Sequence, residues 1–303
     1  MCVVMRRLSE LKSGPLNTNE RNLLGVAYKN VLSATRVSWR ILTAHEIGLR
    51  NTLDNMDAKA KDYKQIENEL KQCRDYRAMI EKEISQKCEE ILQCLSKHIL
   101  PKTDSNISKL DPNVLSLAHS SYTDVKSLED AMNSYLSGSE ASGYILQTLN
   151  AASIVFYYKM RGDIHRYLVE TASDYREDSQ DANMALGFYA VATRVAKAHL
   201  SPGDPIRLGL ALNKSVFYHA MMSAPGRACE IAKNAFDEAV MEMPKRPSSQ
   251  YSDSTLIMSV LRDNLTTWTR AGTDAEHPSA NDPLRNERRR LRAHEDVGGD
   301  AKT

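Results

Sequence analysis

At 303 residues, 42% of them hydrophobic and 26% charged, the chain can bury a substantial core and is too ordinary in composition for a disordered or fibrous protein. A formal net charge of +1 removes the basic excess that nucleic acid or an anionic membrane surface would call for. No stretch approaches the ~20 apolar residues of a membrane span, and the opening MCVVMRRLSELKS is too short in apolar residues for a secretion signal.

The expected setting is therefore the cytoplasm, extending to the nucleus, with no membrane insertion and no nucleic acid partner. Cys2, Cys73, Cys88, Cys94 and Cys229 form no CxxC pair. Neither a zinc site nor a thioredoxin-like motif is predicted, and buried thiols in a reducing compartment fit better. No metal and no cofactor is expected.

Glycine and proline are sparse, at 13 and 10, which favours long helices over turn-rich sheets. A short helix is predicted over Cys2 to Lys12, followed by Gly14-Pro15 and a capping stretch, Asn17-Thr18-Asn19-Glu20. To about Arg50, apolar residues then recur at helical spacing through Leu23, Leu24, Ala27, Val31, Ala34, Ser38 and Ile41. A second long helix is predicted from about Ala58 to Leu100, stopped by Pro101, with Leu70, Cys73, Ile80, Ile84, Ile91 and Leu95 as its core stripe.

Residues 101–152 are rich in Ser, Asn and Asp and weakly patterned, which marks an insertion, since loops beyond ~15 residues are uncommon inside a domain. Helical pattern returns over Ser153 to Ser173, Ser179 to Leu200, Pro205 to Met222, Pro225 to Met243 and Tyr251 to Thr269. Proline in the first turn of two of these helices costs no hydrogen bond. One domain is expected over 1–270. A polar, disordered tail at 271–303 carries a basic cluster, Arg285, Arg288, Arg289, Arg290 and Arg292.

Lys29 and Arg36 lie seven residues apart, about 700° of helix, so both project from nearly one face. Arg166 sits beside Tyr167, with Asp163 and Glu170 at i−3 and i+4, spacings that would steady its guanidinium. Converging cations and a phenol are what a phosphate dianion binds: a bidentate fork, a point charge and one further donor. Spacing alone leaves the solvated helix face as the commoner explanation of such a pair.

Five strings add more than spacing can: RNLLGVAYKNVLSATRVSWR (21–40), VFYYKMRGDIHRYLVE (155–170), DPIRLGLALNKSVFY (204–218), ACEIAKNAFDEAV (228–240) and YSDSTLIMSVLRDNLTTWTR (251–270). Together and in this order they resemble the 14-3-3 family. That family is a standard example of phosphorylated-motif recognition by arginine clusters. The resemblance implies an all-α antiparallel bundle with a concave groove, no catalysis, and phosphorylated client proteins as partners.

By the same resemblance the phosphate site would be Lys29, Arg36, Arg166 and Tyr167. The peptide groove would be Leu212, Asn213, Val216, Leu256, Ile257, Val260, Asn264 and Trp268. The helical spacing agrees, because Leu256, Val260 and Asn264 follow one another at i, i+4.

Several departures from the family's pattern bear on these expectations. Ala220 stands where the family carries a groove glutamate, Thr267 where it has an apolar residue, and Lys214 where it has an aromatic. His165 and His219 also replace aromatics, and both are expected to pack near the groove. The family's first helix, part of its dimer, is missing before Met1, and Met79 replaces a lysine of the docking surface near Ser38 and Tyr76–Glu83. A homo- or heterodimer, if formed, is therefore expected to be weakened. A second reading follows from the same departures: a phosphorylation-independent or chaperone-like scaffold on the same fold. An enzyme is not expected, since the chain has no HExxH, P-loop or GxSxG motif.

Overall fold

A computed structural model describes residues 1–100, 151–172, 179–242 and 252–273. The insertion up to residue 150 and the tail beyond Thr273, with its basic cluster, lie outside the described residues. Those described form α1 (Cys2–Leu11), α2 (Thr18–Asp54), α3 (Tyr63–Cys94), α4 (Ala151–Thr171), α5 (Gln180–His199), α6 (Pro205–Ala220), α7 (Pro225–Glu242) and α8 (Ser252–Thr273). One π-helical turn, Leu95–Ile99, extends α3 toward Pro101, and no strand occurs among the described residues.

The helix starts are written in the sequence. Asn17 accepts from the Glu20 amide, and the Glu20 carboxylate accepts from the Asn17 amide at 2.8 Å, a reciprocal capping box for α2. Ser179 caps α5 by accepting from the Ala182 amide. Asp204 caps α6 by accepting from the amides of Ile206 and Arg207, with Pro205 in the first turn. Between α6 and α7 the chain turns at Ser223, whose φ of 46° is the left-handed conformation that favours glycine.

Helix α4 occupies the centre, packed against α2, α3, α5 and α6. It is buried nearly all round, which a helix with a single apolar stripe could not be. Ile154, Val155, Tyr157, Tyr158 and Ile164 enter the core, and so do the charged Arg161, Asp163, Arg166 and Glu170. Buried charges are stable only when paired, so α4 must find partners on its neighbours. A smaller core of Leu208, Ala232, Ala239, Met258 and Leu261 joins α6, α7 and α8. Trp268 packs against both cores.

The predicted stripe of α3 is the observed one: Leu70, Cys73, Ile80, Ile84, Ile91 and Leu95 are all buried. That of α2 is corrected. Only Leu24 and Ala27 of the expected set face inward, joined by Arg21, Tyr28, Leu32, Trp39, Thr43 and Glu46, while Leu23, Val31, Ala34, Ser38 and Ile41 are exposed. Polar residues displace apolar ones from the inner face because the neighbouring helices offer them partners. Trp39 donates to Glu81 of α3 at 2.9 Å, and Glu46 receives Arg74 of α3 at 2.9 Å as well as Arg50 of α2 itself at 2.8 Å. Tyr76 and Met79 on α3 are also exposed.

Candidate phosphopeptide groove

The cationic side is built by α2 and α4. Arg36 donates from Nε to Glu170 at 2.8 Å and also from Nη2, and Arg40 grips the other oxygen of the same carboxylate from Nε at 2.8 Å. The Arg36 guanidinium lies 3.8 Å from the centre of the Tyr167 ring, and that of Arg166 lies 4.5 Å from the same ring. One phenol thus gathers two like charges, each attracted by the negative face of the π-system. The Tyr167 hydroxyl makes no hydrogen bond among the described residues. Lys29, two turns before Arg36 on α2, is exposed and meets no carboxylate among them.

Arg166 is held from another direction. Its Nε donates to the Tyr189 hydroxyl of α5 at 3.3 Å, and Tyr189 donates onward to Asp163 at 2.7 Å. Asp163 also receives Lys159 at 3.0 Å and the Asn213 amide of α6 at 2.8 Å to each oxygen. The Asp163 and Arg166 side chains approach to 3.8 Å.

Gly162 makes this packing fit, because a Cβ there would lie 2.8 Å from the Tyr189 ring. The expectation that both flanking acids steady Arg166 is thus corrected in part. Asp163 does so chiefly through Tyr189, whereas Glu170 is taken up by Arg36 and Arg40, which approach it across the helix interface.

Electrostatics follow from these contacts. Burial alone would raise the Asp163 carboxyl, but Lys159, Arg166 and the Tyr189 hydroxyl hold it below the usual range. Burial likewise opposes ionisation of Glu170, and Arg36, Arg40 and Arg166 outweigh it, so this carboxyl is also depressed. For Arg166, burial works against the charge, and Tyr189, Tyr167, Asp163 and Glu170 more than restore it. The Tyr189 hydroxyl is pushed well above its ordinary value, by burial first and by Asp163 second, and it stays a donor. Asp163, Glu170 and Arg166 are therefore charged at neutral pH, and Tyr189 is neutral.

The apolar side comes from α6 and α8. Leu212, Ile257 and Trp268 are half-buried against the smaller core. Val216 and Asn264 are half-buried, Val260 is exposed, and Leu256 is 69% exposed.

Of the predicted groove residues, Asn213 alone bonds directly into the α4 network, through Asp163. His219 stacks on Trp268 with centroids 4.5 Å apart and planes at 12°, and His165 stacks on Phe188 at 5.5 Å while pairing with Asp181 at 2.7 Å. Both histidines stack on aromatic rings. Lys214 is buried, with its ammonium 5.9 Å from the Tyr218 ring. Thr267 turns its hydroxyl back to the Asp263 carbonyl, and Ala220 is half-buried.

Sequence reading missed Tyr189, Lys159 and Arg40. Tyr189 is 23 residues from Arg166 on a different helix, so no local spacing could connect them. Among the described residues no cluster of His, Cys, Asp or Glu is arranged to hold a metal ion, and no helix there is long and apolar enough to cross a membrane.

Residues 1–114 and 125–269 match the 14-3-3 protein family. The chain belongs to the 14-3-3 family. The match is interrupted only over 115–124, within the weakly patterned stretch expected as an insertion. A 14-3-3 protein homolog of Trichoderma harzianum is 38% identical over 278 residues, covering 91% of this chain and 83% of the relative. The 14-3-3 protein epsilon of Drosophila melanogaster is 39% identical over 256 residues, covering 84% and 75%. The checkpoint signal transducer rad24 of Schizosaccharomyces pombe is 38% identical over 266 residues, covering 88% and 76%. Like the rest of the 14-3-3 family, the chain is a non-enzymatic adaptor, and the all-helical architecture agrees with that membership.

Proposed function

We propose that this 14-3-3 protein binds client proteins in signalling through segments phosphorylated on serine or threonine. The phosphate would be taken by Arg36, Arg166, Tyr167 and Lys29, and the flanking chain by the α6 and α8 side. The observation that carries this reading is the pair of guanidiniums held over one tyrosine ring, each oriented by buried partners before any ligand arrives. Preorganised charge avoids the ordering cost that otherwise consumes much of a binding free energy.

A phosphate dianion matches the site better than a carboxylate. It offers three acceptor oxygens to donors arriving from two helices. Client segments that order on binding give up conformational freedom at that moment, so the phosphate contacts supply much of the net affinity.

The test is reversibility with phosphorylation. A client segment phosphorylated at one serine is expected to bind and to be released when a phosphatase removes the phosphate. A segment held equally before and after treatment would move the role to the phosphorylation-independent scaffold.

A further inference from the structure

The cationic side carries more charge than its own acids balance. Glu170 is shared by Arg36 and Arg40, and Asp163 is met by Lys159 and Arg166. Lys29, on the α2 face of Arg36, is exposed and meets no carboxylate among the described residues. Five cations thus stand against two carboxylates, an excess of three positive charges. The opposite side does not make up the difference. Helix α6 has no Asp or Glu from Pro205 to Ala220. On α8, Asp263 lies 3.7 Å from Arg262, and Asp253 belongs to the first turn.

A bound phosphoserine brings about −1.5 to −2 charges near pH 7, so at least one positive charge of the excess stays unmatched. Arg40 is where that charge is most available. Its Nε and Nη2 both go to one oxygen of Glu170, while its Nη1 makes no hydrogen bond among the described residues. Half of the Arg40 side chain is exposed, against 12% for Arg36. One carboxylate cannot neutralise two guanidiniums, and Glu170 is divided between them. In the complex the phosphate answers Arg36, and Arg40 is left with its share of Glu170. Arg40 follows Arg36 by one helical turn, about 6 Å along α2, which is about the advance of two residues of extended chain.

We infer that Arg40 is a specificity-determining residue, whose half-exposed guanidinium takes the carboxylate of an aspartate or glutamate about two residues from the phosphorylated one. This inference rests on the phosphopeptide reading above and narrows it to a class of client: phosphorylated segments with an acidic flank. Basic flanks are disfavoured by the same excess, since charges within about 8–10 Å still feel one another at physiological salt.

The test uses a phosphoserine peptide with neutral flanks and a series in which Glu or Lys replaces Ala at each flanking position in turn, each with its unphosphorylated twin. Fluorescence anisotropy reads the affinities. Against the wild-type protein, Glu at a position about two residues from the phosphoserine is expected to tighten binding about three- to fivefold over Ala. Lys there weakens it by a similar factor, the scale of one partly exposed ion pair. In Arg40→Gln the advantage of Glu at that position falls below about 1.5-fold, while the phosphopeptide still outbinds its twin.

The wild-type series requires no variant, so a poorly folded Arg40→Gln leaves the inference open to refutation. No gain from Glu at any flanking position in the wild type would overturn it and leave the phosphate reading standing. A gain that survives intact in Arg40→Gln would do the same. A wild type that binds phosphorylated and unphosphorylated peptides alike would overturn the reading of the groove and this inference with it.

Discussion

The two sides of the proposed groove are built in opposite ways. On the cationic side the arginines are held by buried partners: Arg36 and Arg40 share Glu170, and Arg166 is held by Tyr189 and through it Asp163. On the apolar side Leu256 and Val260 are exposed. Charge must be oriented in advance, because reorganising buried ions during binding is costly. Apolar contact is non-directional, and its side chains can settle on whatever segment arrives. Substitutions on the first side should therefore disturb folding and binding together, and those on the second should disturb binding alone.

The largest effect is expected for Arg166→Ala. It removes a cation paired with the buried Asp163, so stability should fall by about 3 kcal/mol, the cost of breaking a buried ion pair. Phosphopeptide affinity should fall about a hundredfold or more. Denaturant unfolding and fluorescence anisotropy measure the two separately.

Gly162→Ala comes next. Its Cβ would meet the Tyr189 ring at 2.8 Å and push it off the relay to Arg166, at a net cost of about 1–2 kcal/mol in unfolding free energy. The matching control is Gly48→Ala on α2, where nothing lies within 4 Å and the gain in helix propensity should stabilise by up to about 1 kcal/mol.

On the apolar side, Leu256→Ala should weaken peptide binding about five- to tenfold, from lost apolar contact, while leaving the unfolding free energy unchanged within about 0.5 kcal/mol. Ser223→Gly touches neither side. It relieves a left-handed backbone and should stabilise by about 1 kcal/mol without altering affinity.

Acid sharpens the same contrast. Asp163 and Glu170 are held below their ordinary range when folded, so on unfolding they would take up protons at mildly acidic pH. Their contribution to stability is fully present above the unfolded carboxylate range of about 4–5 and is lost as pH falls through their depressed folded values. Glu170→Gln should therefore be less stable than wild type at neutral pH, with the gap closing at low pH, as thermal melts across pH 2–7 would show.

Much of this was legible in the sequence, for reasons that differ by residue. The capping residues Asn17, Ser179 and Asp204 announce the starts of α2, α5 and α6 because their partners lie two or three residues away. The stripe of α3 was legible because apolar residues fill its inner face.

The inner face of α2 was not legible, because Arg21, Thr43 and Glu46 are buried there by partners on other helices or, for Thr43, by a bond to the Trp39 carbonyl. The site divides the same way. The identity of Arg36, Arg166 and Tyr167 came from strings of sequence. The orientation of each arginine depends on Glu170 and Tyr189 reaching across helix interfaces, which no spacing encodes.

The most direct test of the central claim is a titration of one fluorescent phosphoserine peptide and its unphosphorylated twin into wild type and Arg36→Ala. The oriented cationic side predicts tight binding of the phosphopeptide to wild type, little of the twin, and a fall toward the twin's level in the variant. Equal binding of both peptides by the wild type, or an affinity indifferent to Arg36, would contradict the account.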